Sequence, residues 1–357
     1  MDQRLHKKLE DRIEKGTLRS LSSFDGMIDF FSNDYLGLSK EDFSCEISSY
    51  GATGSRLISG TTPRMLEIES EIAQIFAVQS SLMFNSGYDA NLGLFSSIPQ
   101  RGDTILYDEF IHASVRDGIR LSHAKTISFR HNDIEDLSAK IERSDGSIYV
   151  AVESLYSMDG DFAPIKKLAV LCKSRNAYLI VDEAHACGVF GENGKGLVFE
   201  LGLSHLVFAR LVTFGKAYGS HGACVLGSSD LIQYLYNFAR SFIYTTALPE
   251  SVFERNLKLA SSGLASNRRI KLNSNLVYFR SNFYHSGLIS NEMSPIQIIE
   301  FGSIEATKTV AEKIQALNIA VKPIYSPTVT EGKERLRICI HSFNTKQELD
   351  ALIRALR

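Results

Sequence analysis

The sequence lacks the signatures of several common protein classes. It has no HExxH pair for a metal, no Walker-type phosphate loop and no GxGxxG fingerprint, because the glycines of GVFGENGKG at 188–196 are wrongly spaced. No apolar run is long enough to span a bilayer, and no basic or acidic run marks a nucleic-acid or membrane surface. The formal net charge is only −2. We therefore expect no metal, no nucleic acid and no membrane as partners.

Cysteine usage gives an expectation about the compartment. The five cysteines, Cys45, Cys172, Cys187, Cys224 and Cys339, are scattered and form no CxxC pair. This pattern favours unbridged thiols in a reducing compartment. The opening residues, MDQRLHKKLEDRIEKG, read as a charged helix over about 1–15 rather than as a signal peptide. Both observations predict a cytoplasmic protein.

Short apolar runs alternate with amphipathic stretches through the middle of the chain. Seven runs are typical of strands: 80–86, 103–108, 124–129, 147–154, 177–184, 206–214 and 222–228. Helical patterns, including 111–122, 133–143 and 165–176, lie between them. Near-continuous apolar strands separated by helices predict an α/β fold with a parallel sheet covered on both faces. In such sheets, ligands bind at the carboxyl ends of the strands.

The pattern changes from about residue 247. A helical stretch at 249–268 leads into LNSNLVYFRS, IQIIEFGS, NIAVKPIYSP and ERLRICIHS, interleaved with helices at 303–317 and 345–356. This texture predicts a smaller α+β domain, and 357 residues are more than one core usually serves. We expect an N-terminal helix and arm at 1–34, a large domain at 35–248 and a small domain at 249–357.

One charged residue, Lys216, lies within the apolar stretch LVTFGKAYGSHGACVLG at 211–227. Burying a lysine is unfavourable unless its charge is paired or its proton is lost. Desolvation also lowers the pKa of an amine, which makes it a better nucleophile. Lys216 is therefore a candidate catalytic amine.

Four other features lie at or just after predicted strand ends. Asp182 and His185 belong to VDEAH, Gly87 opens a helix in NSGYDAN, His112 lies in DEFIHASV, and Thr213 precedes the lysine by three residues. Taken singly, each is more often a cap, a turn or a structural histidine. Together with an amine they suit one ligand, pyridoxal 5′-phosphate (PLP), through a Schiff base, a carboxylate on the ring nitrogen and a phosphate cup at a helix N-terminus.

Seven longer motifs follow one another along the chain: FFSNDYLGLS (30–39), GATGSRLISGTTPRMLEIESEIA (51–73), NSGYDAN, HASVRDGIRLS, ESLYSMDGD (153–161), VDEAHACGVFGENGKG (181–196) and VTFGKAYGSHGA. In this order they resemble the α-oxoamine synthases, a family of fold-type I PLP enzymes, and the resemblance runs through nearly the whole chain. The resemblance implies a large PLP-binding domain with a mostly parallel seven-stranded sheet, plus a smaller C-terminal α+β domain. The region between Arg19 and Phe30 is shorter than in typical members.

The resemblance also implies roles for the catalytic residues. Lys216 would form the Schiff base and act as the base. Asp182 would bond the pyridine nitrogen, His185 would lie near the phenolic oxygen, and His112 would stack on the ring.

Further cofactor and substrate roles follow from the same resemblance. The residues implied beside the phosphate are Gly87, Tyr88 and Thr213, with Thr245 and Thr246 from a partner subunit, and Ser157 would lie beside the cofactor. Asn33 would line the substrate side, and Arg19 aligns with an arginine that meets the far carboxylate of the acyl chain. In ERLR either arginine could bind the amino-acid carboxylate, since Arg335 and Arg337 share a strand face; we favour Arg337.

The implied reaction is a PLP-dependent decarboxylative condensation of an L-amino acid with an acyl-CoA, or with an acyl carrier protein thioester, in a homodimer with composite sites. VTFGKAYGSHGA resembles the biotin-pathway branch, which uses L-alanine and pimeloyl-CoA, more than the GTLGKA style of the glycine-using 2-amino-3-ketobutyrate ligases. Serine palmitoyltransferases and 5-aminolevulinate synthases remain alternatives. An aminotransferase or lyase is disfavoured by SMDGD and GSHG, and a non-catalytic binding protein by the presence of Lys216 and Asp182.

Overall fold

The computed structural model describes residues 3–19, 21, 23–42 and 51–357. Its contacts divide the chain into two units. The core unit comprises Asn33–Ser157 and Asp161–Ile270, and the terminal unit comprises Met1–Ser32, Met158–Gly160 and Lys271–Arg357. The N-terminal arm thus groups with the C-terminal part of the chain, and the last boundary between the units lies after Ile270. The three-part domain division remains a prediction.

Strands and helices alternate along much of the described part of the chain. The strands are β1 (Ile28–Asp29), β2 (Ser80–Phe84), β3 (Thr104–Asp108), β4 (Lys125–Phe129), β5 (Ile148–Glu153), β6 (Tyr178–Asp182), β7 (Ala209–Thr213), β8 (Ala223–Gly227), β9 (Ile296–Glu300), β10 (Ile319–Ala320), β11 (Lys322–Ile324) and β12 (Arg335–Cys339). The helices are α1 (Gln3–Glu14), α2 (Pro63–Ile75), α3 (Gly87–Ser97), α4 (Ala113–Leu121), α5 (Ile134–Glu142), α6 (Ile165–Ser174), α7 (Leu197–Glu200), α8 (Ser229–Phe238), α9 (Arg240–Ile243), α10 (Glu250–Ser261), α11 (Gly263–Asn282), α12 (Ile304–Gln315) and α13 (Lys346–Leu356).

The core unit is built on a seven-stranded sheet with the order β2-β8-β7-β6-β5-β3-β4. Strands β3 to β7 pair in parallel, whereas β8 runs antiparallel to both of its neighbours, β2 and β7. The predicted α/β fold with a mostly parallel seven-stranded sheet is confirmed. Each of the seven predicted strands contains one of the observed strands.

Alternating side chains of the sheet enter two separate hydrophobic clusters. In β5, Tyr149 and Ala151 join a cluster with α3, α4 and α8, whereas Val150 and Val152 join a cluster with α5 and α6. Successive residues of a strand point to opposite faces, so both faces are covered. This arrangement explains why β5 and β6 are apolar on both faces up to their last residue.

The same alternation fixes the direction of the polar residues that end the strands. Glu153, Asp182 and Thr213 each follow by two residues a side chain on the α3 and α4 face, namely Ala151, Ile180 and Leu211. In the ladder, Glu153 is the register partner of Asp182. One edge and one face of the sheet therefore gather these three polar side chains.

The terminal unit has its own small sheets. Strands β11, β12 and β9 form an antiparallel sheet in that order, and β1 pairs with β10 in parallel. The segment LNSNLVYFRS, expected to follow the helical stretch, instead lies inside α11. Its buried apolar residues Leu272, Leu276 and Phe279 are spaced by four and three positions, which is a helical period. That part of the prediction was wrong.

Two further expectations bear on the chain as a whole. No helix in the part of the chain that the structure describes is long and apolar enough to cross a bilayer. Four of the cysteines, Cys172, Cys187, Cys224 and Cys339, are buried and form no disulfide. Cys45 lies outside the described residues.

Candidate active site

Asp182 ends β6 as a buried carboxylate with two defined donors. Asn91 donates from Nδ2 to its Oδ2 at 2.7 Å, and the backbone N–H of Ala184 donates to its Oδ1 at 2.9 Å. Hydrogen bonds to both oxygens fix the direction of the carboxylate. Asp182 can therefore present a fixed negative charge to a cationic group of a ligand.

His112 caps the start of α4 and presents an exposed ring. Its Nδ1 lies 2.7 Å from Ser114 Oγ and accepts from the Ser114 backbone N–H at 3.2 Å. Because an N–H points at Nδ1, this nitrogen is the acceptor and the ring proton is on Nε2. Desolvation lowers the pKa of His112, and the Lys216 charge lowers it further. The neutral, open ring suits stacking against a flat ligand.

Asn91 joins these two residues. Its Nδ2 also donates to Ser114 Oγ at 3.0 Å, so one buried amide touches both the Asp182 carboxylate and the hydroxyl beside His112. Asn91 follows Gly87 by four positions on α3 and is 2% exposed. Sequence reasoning singled out the motif NSGYDAN but did not select this asparagine. The one-turn spacing from Gly87 was the available signal.

Lys216 is half-buried and lies next to a histidine. Its Nζ is 2.8 Å from Nε2 of His185, and Nδ1 of the same ring is 2.7 Å from the hydroxyl of Tyr35. Tyr35 in turn donates to Oδ1 of Asn33 at 3.2 Å. This run of hydrogen bonds holds the amine, the imidazole and the phenol in one geometry. Tyr35, which is fully buried, was not selected from the sequence.

The N-terminus of α3 faces Thr213. Ser86 caps the helix by accepting from the Asp89 backbone N–H, and Gly87 and Tyr88 follow as its first residues. The first N–H groups of a helix have no carbonyl partner within it, so they are available to an anion. A methyl group built on Gly87 would lie 4.0 Å from Oγ1 of Thr213, which places the threonine beside this helix end.

Three further predicted positions, Thr245, Thr246 and Ser157, lie in other segments of the core unit. Nδ2 of Asn85 donates to Thr245 Oγ1 at 3.0 Å and to the Thr246 carbonyl at 2.9 Å, within the same chain and two residues before Gly87. Ser157 is half-buried in the turn between Leu155 and Phe162, which are bridged as an antiparallel pair. Their roles toward a cofactor or a partner subunit remain predictions.

The predicted arginines belong to the terminal unit. Arg335 is held by Asp159 Oδ1 at 2.6 Å and by the Met158 carbonyl at 3.0 Å. Arg337, two residues later, lies 3.1 Å from the sulfur of Cys339, a much weaker acceptor. Arg19 is exposed and donates to Thr328 at 3.4 Å.

A second, half-buried cluster supports the turns that carry His112 and Ser157. His131 lies between two carboxylates, with Nδ1 2.9 Å from Asp108 and Nε2 2.8 Å from Asp161. The Phe110 ring stacks on it at 4.4 Å. Although desolvation opposes the charge, the hydrogen bonds to both carboxylates raise the pKa of His131 to about 10. His131 is thus an imidazolium that ties the end of β3 to the segment after Ser157.

Known proteins similar to this chain match it over nearly its whole length. Residues 25–356 match the family described as aminotransferase class I and II. An 8-amino-7-oxononanoate synthase of Emericella nidulans is 38% identical, over 98% of this chain and 93% of that protein. The crystal structure of the 8-amino-7-oxononanoate synthase of Francisella tularensis is 30% identical, with a TM-score of 0.76 over 93% of this chain and 97% of its own.

A third comparison concerns the fold alone. A serine palmitoyltransferase of S. paucimobilis, solved with a bound PLP–myriocin aldimine, superposes with a TM-score of 0.87. The match covers 99% of this chain and 96% of that one at 24% identity.

The His131 cluster predicts a pH dependence of stability. The contribution of His131 should be complete below its ordinary pKa of 6.5, and it should be lost as the pH rises through about 10. Chemical unfolding of the wild type and of His131→Gln should show a stability difference that shrinks over this range. The exposed His123→Gln should show no such trend. A difference that is constant from about pH 6 to about pH 10 would contradict a charged His131.

Proposed function

The chain belongs to the aminotransferase class I and II family and, within it, to the α-oxoamine synthases; on that premise we propose that it acts as an 8-amino-7-oxononanoate synthase. The proposed reaction condenses L-alanine with a pimeloyl thioester and releases CO2 and CoA. Its support is the 38% identity to a synthase of that name over nearly the whole of both chains, together with the Lys216, His185 and Asp182 arrangement.

The residues present fit PLP, the cofactor of this family. A planar cationic ring needs a carboxylate and a stacking surface, which Asp182 and the open ring of His112 can supply. A phosphate needs donors, which the first N–H groups of α3 can supply. The Thr213 hydroxyl lies beside them and would join them by turning its proton away from the Gly222 carbonyl, to which it donates at 3.1 Å. An aldehyde needs an amine, and Lys216 is the half-buried amine of this edge. When bound, PLP supplies an electron sink that stabilises negative charge on the substrate α-carbon.

The side chains of the core unit have separate proposed tasks. Nζ of Lys216 removes the α-proton of the amino acid and later returns a proton, and Nε2 of His185, 2.8 Å away, keeps this amine oriented. Asp182 holds a proton at the ring nitrogen, with Asn91 fixing the direction of its carboxylate. In the overall reaction a C–C bond forms as the thioester C–S bond breaks, and the bond to the amino-acid carboxylate then breaks to release CO2.

Arg337 is proposed to bind the amino-acid carboxylate. Recruiting Arg335 for that task would require breaking its 2.6 Å ion pair with Asp159. Arg19 remains the proposed partner of the far carboxylate of the acyl chain, and Asn33 the proposed lining of the substrate side.

We also propose a cytoplasmic homodimer. The family resemblance implies that Thr245 and Thr246 reach a phosphate across a subunit interface, which is the ground for proposing composite sites. The buried cysteines without disulfides suit a reducing compartment. Delivery of the acyl group by CoA or by an acyl carrier protein fits this reaction equally well. A serine palmitoyltransferase activity is the second candidate, favoured by the likeness in fold.

The substrate pair can be tested directly. Protein purified with PLP should release thiol with L-alanine and pimeloyl-CoA, and not with glycine or L-serine or with acetyl-CoA or palmitoyl-CoA. Lys216→Ala should lower the rate by about 10³-fold or more, because the base is lost. The exposed Lys173→Ala should match the wild type. Release with L-serine and palmitoyl-CoA would select the second candidate. No release with any pair, including L-alanine with a pimeloyl thioester of acyl carrier protein, would contradict the family reaction.

The two arginines of β12 form a matched pair for a second test. Arg337→Met should raise the KM for the amino acid by about 10- to 100-fold, through loss of a charge-assisted hydrogen bond. Arg335→Met should instead lower the denaturant midpoint of unfolding, because it leaves the Asp159 carboxylate without its ion-pair partner. Steady-state kinetics and chemical unfolding of both variants distinguish the roles. The reverse pattern would assign the carboxylate to Arg335.

A further inference from the structure

A carboxyl group with no task in this mechanism lies beside Asp182. Glu153 ends β5 as the register partner of Asp182, which ends β6, and both side chains point to the same face. Neighbouring strands lie about 4.8 Å apart. Glu153 is 4% exposed and Asp182 is 7% exposed. Two buried carboxyls so close together cannot both be ionised without a large electrostatic penalty.

The hydrogen-bond donors around the two carboxyl groups indicate which of them is ionised. Asp182 accepts one N–H on each oxygen. The titratable groups acting on Glu153 are Asp182, Asp108, Lys216 and Tyr156, and the backbone N–H of His112 donates to its carboxyl group. Burial and the Asp182 charge raise the pKa of Glu153 well above its ordinary value, although Lys216 and the backbone of His112 act in the opposite direction. The negative charge of the pair therefore belongs to Asp182.

We propose that Glu153 is a positioning residue held as a neutral carboxylic acid, which leaves Asp182 to carry the negative charge offered to the ligand ring. The neighbouring charge of Asp108 is already compensated by His131 at 2.9 Å. An ionised Glu153 would instead compete with Asp182 for any cation at this edge. The purpose of Asp182 rests on the proposed function, whereas the protonation of Glu153 is a property of the chain alone.

Glu183 provides a matched contrast one residue after Asp182. It is fully buried, but its carboxylate forms a 2.7 Å ion pair with Arg210 and accepts from the Val198 backbone N–H. A buried carboxylate paired with a cation is ionised, and replacing it by an amide leaves the arginine buried without a counter-charge. Glu153 and Glu183 should therefore respond to amide substitution in opposite ways.

Chemical unfolding of the PLP-free full chain tests this difference. If Glu153 is neutral in the fold, unfolding releases its proton at any pH above its ordinary pKa of 4.5. Wild-type stability then falls relative to Glu153→Gln, by up to about tenfold in the unfolding equilibrium constant per pH unit. The gap should widen from about pH 5 to about pH 8 in favour of the glutamine variant. Glu183→Gln should instead be less stable than the wild type throughout.

A gap that stays constant would overturn the proposal, as would a Glu153→Gln variant that is less stable than the wild type at the higher pH. Infrared spectra of PLP-free protein with carboxyl-labelled glutamate give an independent reading, which does not depend on the variant folding. The wild type should show the C=O band of a protonated glutamic acid near neutral pH, and that band should vanish in Glu153→Gln. Absence of the band in the wild type, or its persistence in the variant, would overturn the proposal whatever the enzyme's substrates are.

Discussion

The register of the parallel strands is the constraint from which the candidate site follows. Because β5, β6 and β7 end at the same edge, Glu153, Asp182 and Thr213 are brought together although they are distant in the chain. Strand alternation then turns all three toward the face covered by α3 and α4. The helix that begins at Gly87 and the cap at His112 lie on that face, so one sheet edge collects carboxylate, hydroxyl, imidazole and helix N-terminus.

The charged side chains near this edge of the sheet each have defined partners. Asp108 is paired with the His131 imidazolium, and Glu183 is paired with Arg210 on the opposite face. Asp182 accepts from the neutral N–H groups of Asn91 and Ala184, so its charge can act on a bound cation. The hydrogen bond from Lys216 to His185 orients the amine, and Tyr35 restrains the far side of that imidazole. Such preorganisation reduces the rearrangement that binding and reaction require.

A large part of this arrangement could be predicted from short segments of the sequence. Apolar runs predicted the seven-stranded sheet. Lys216 was selected because it is the one charged residue of the apolar stretch at 211–227. Asn91, Tyr35 and His131 were missed because their partners are remote: Asn91 lies 91 residues from Asp182, and Tyr35 lies 150 residues from His185. No pattern within one segment encodes such a pair. The C-terminal part of α11 was missed for a different reason. Its apolar residues have a helical period, but its many asparagines and serines have a low helical propensity.

The central claim is that the amine of Lys216 carries the cofactor. It can be tested by adding PLP to the purified chain, reducing with borohydride, and mapping the modified peptide by mass spectrometry. Borohydride converts a Schiff base into a stable C–N bond, so the pyridoxyl mass should appear stoichiometrically on the peptide containing Lys216. The Lys216→Ala variant should take up no label at that peptide. Labelling spread over surface lysines, or located at another single lysine, would contradict the account.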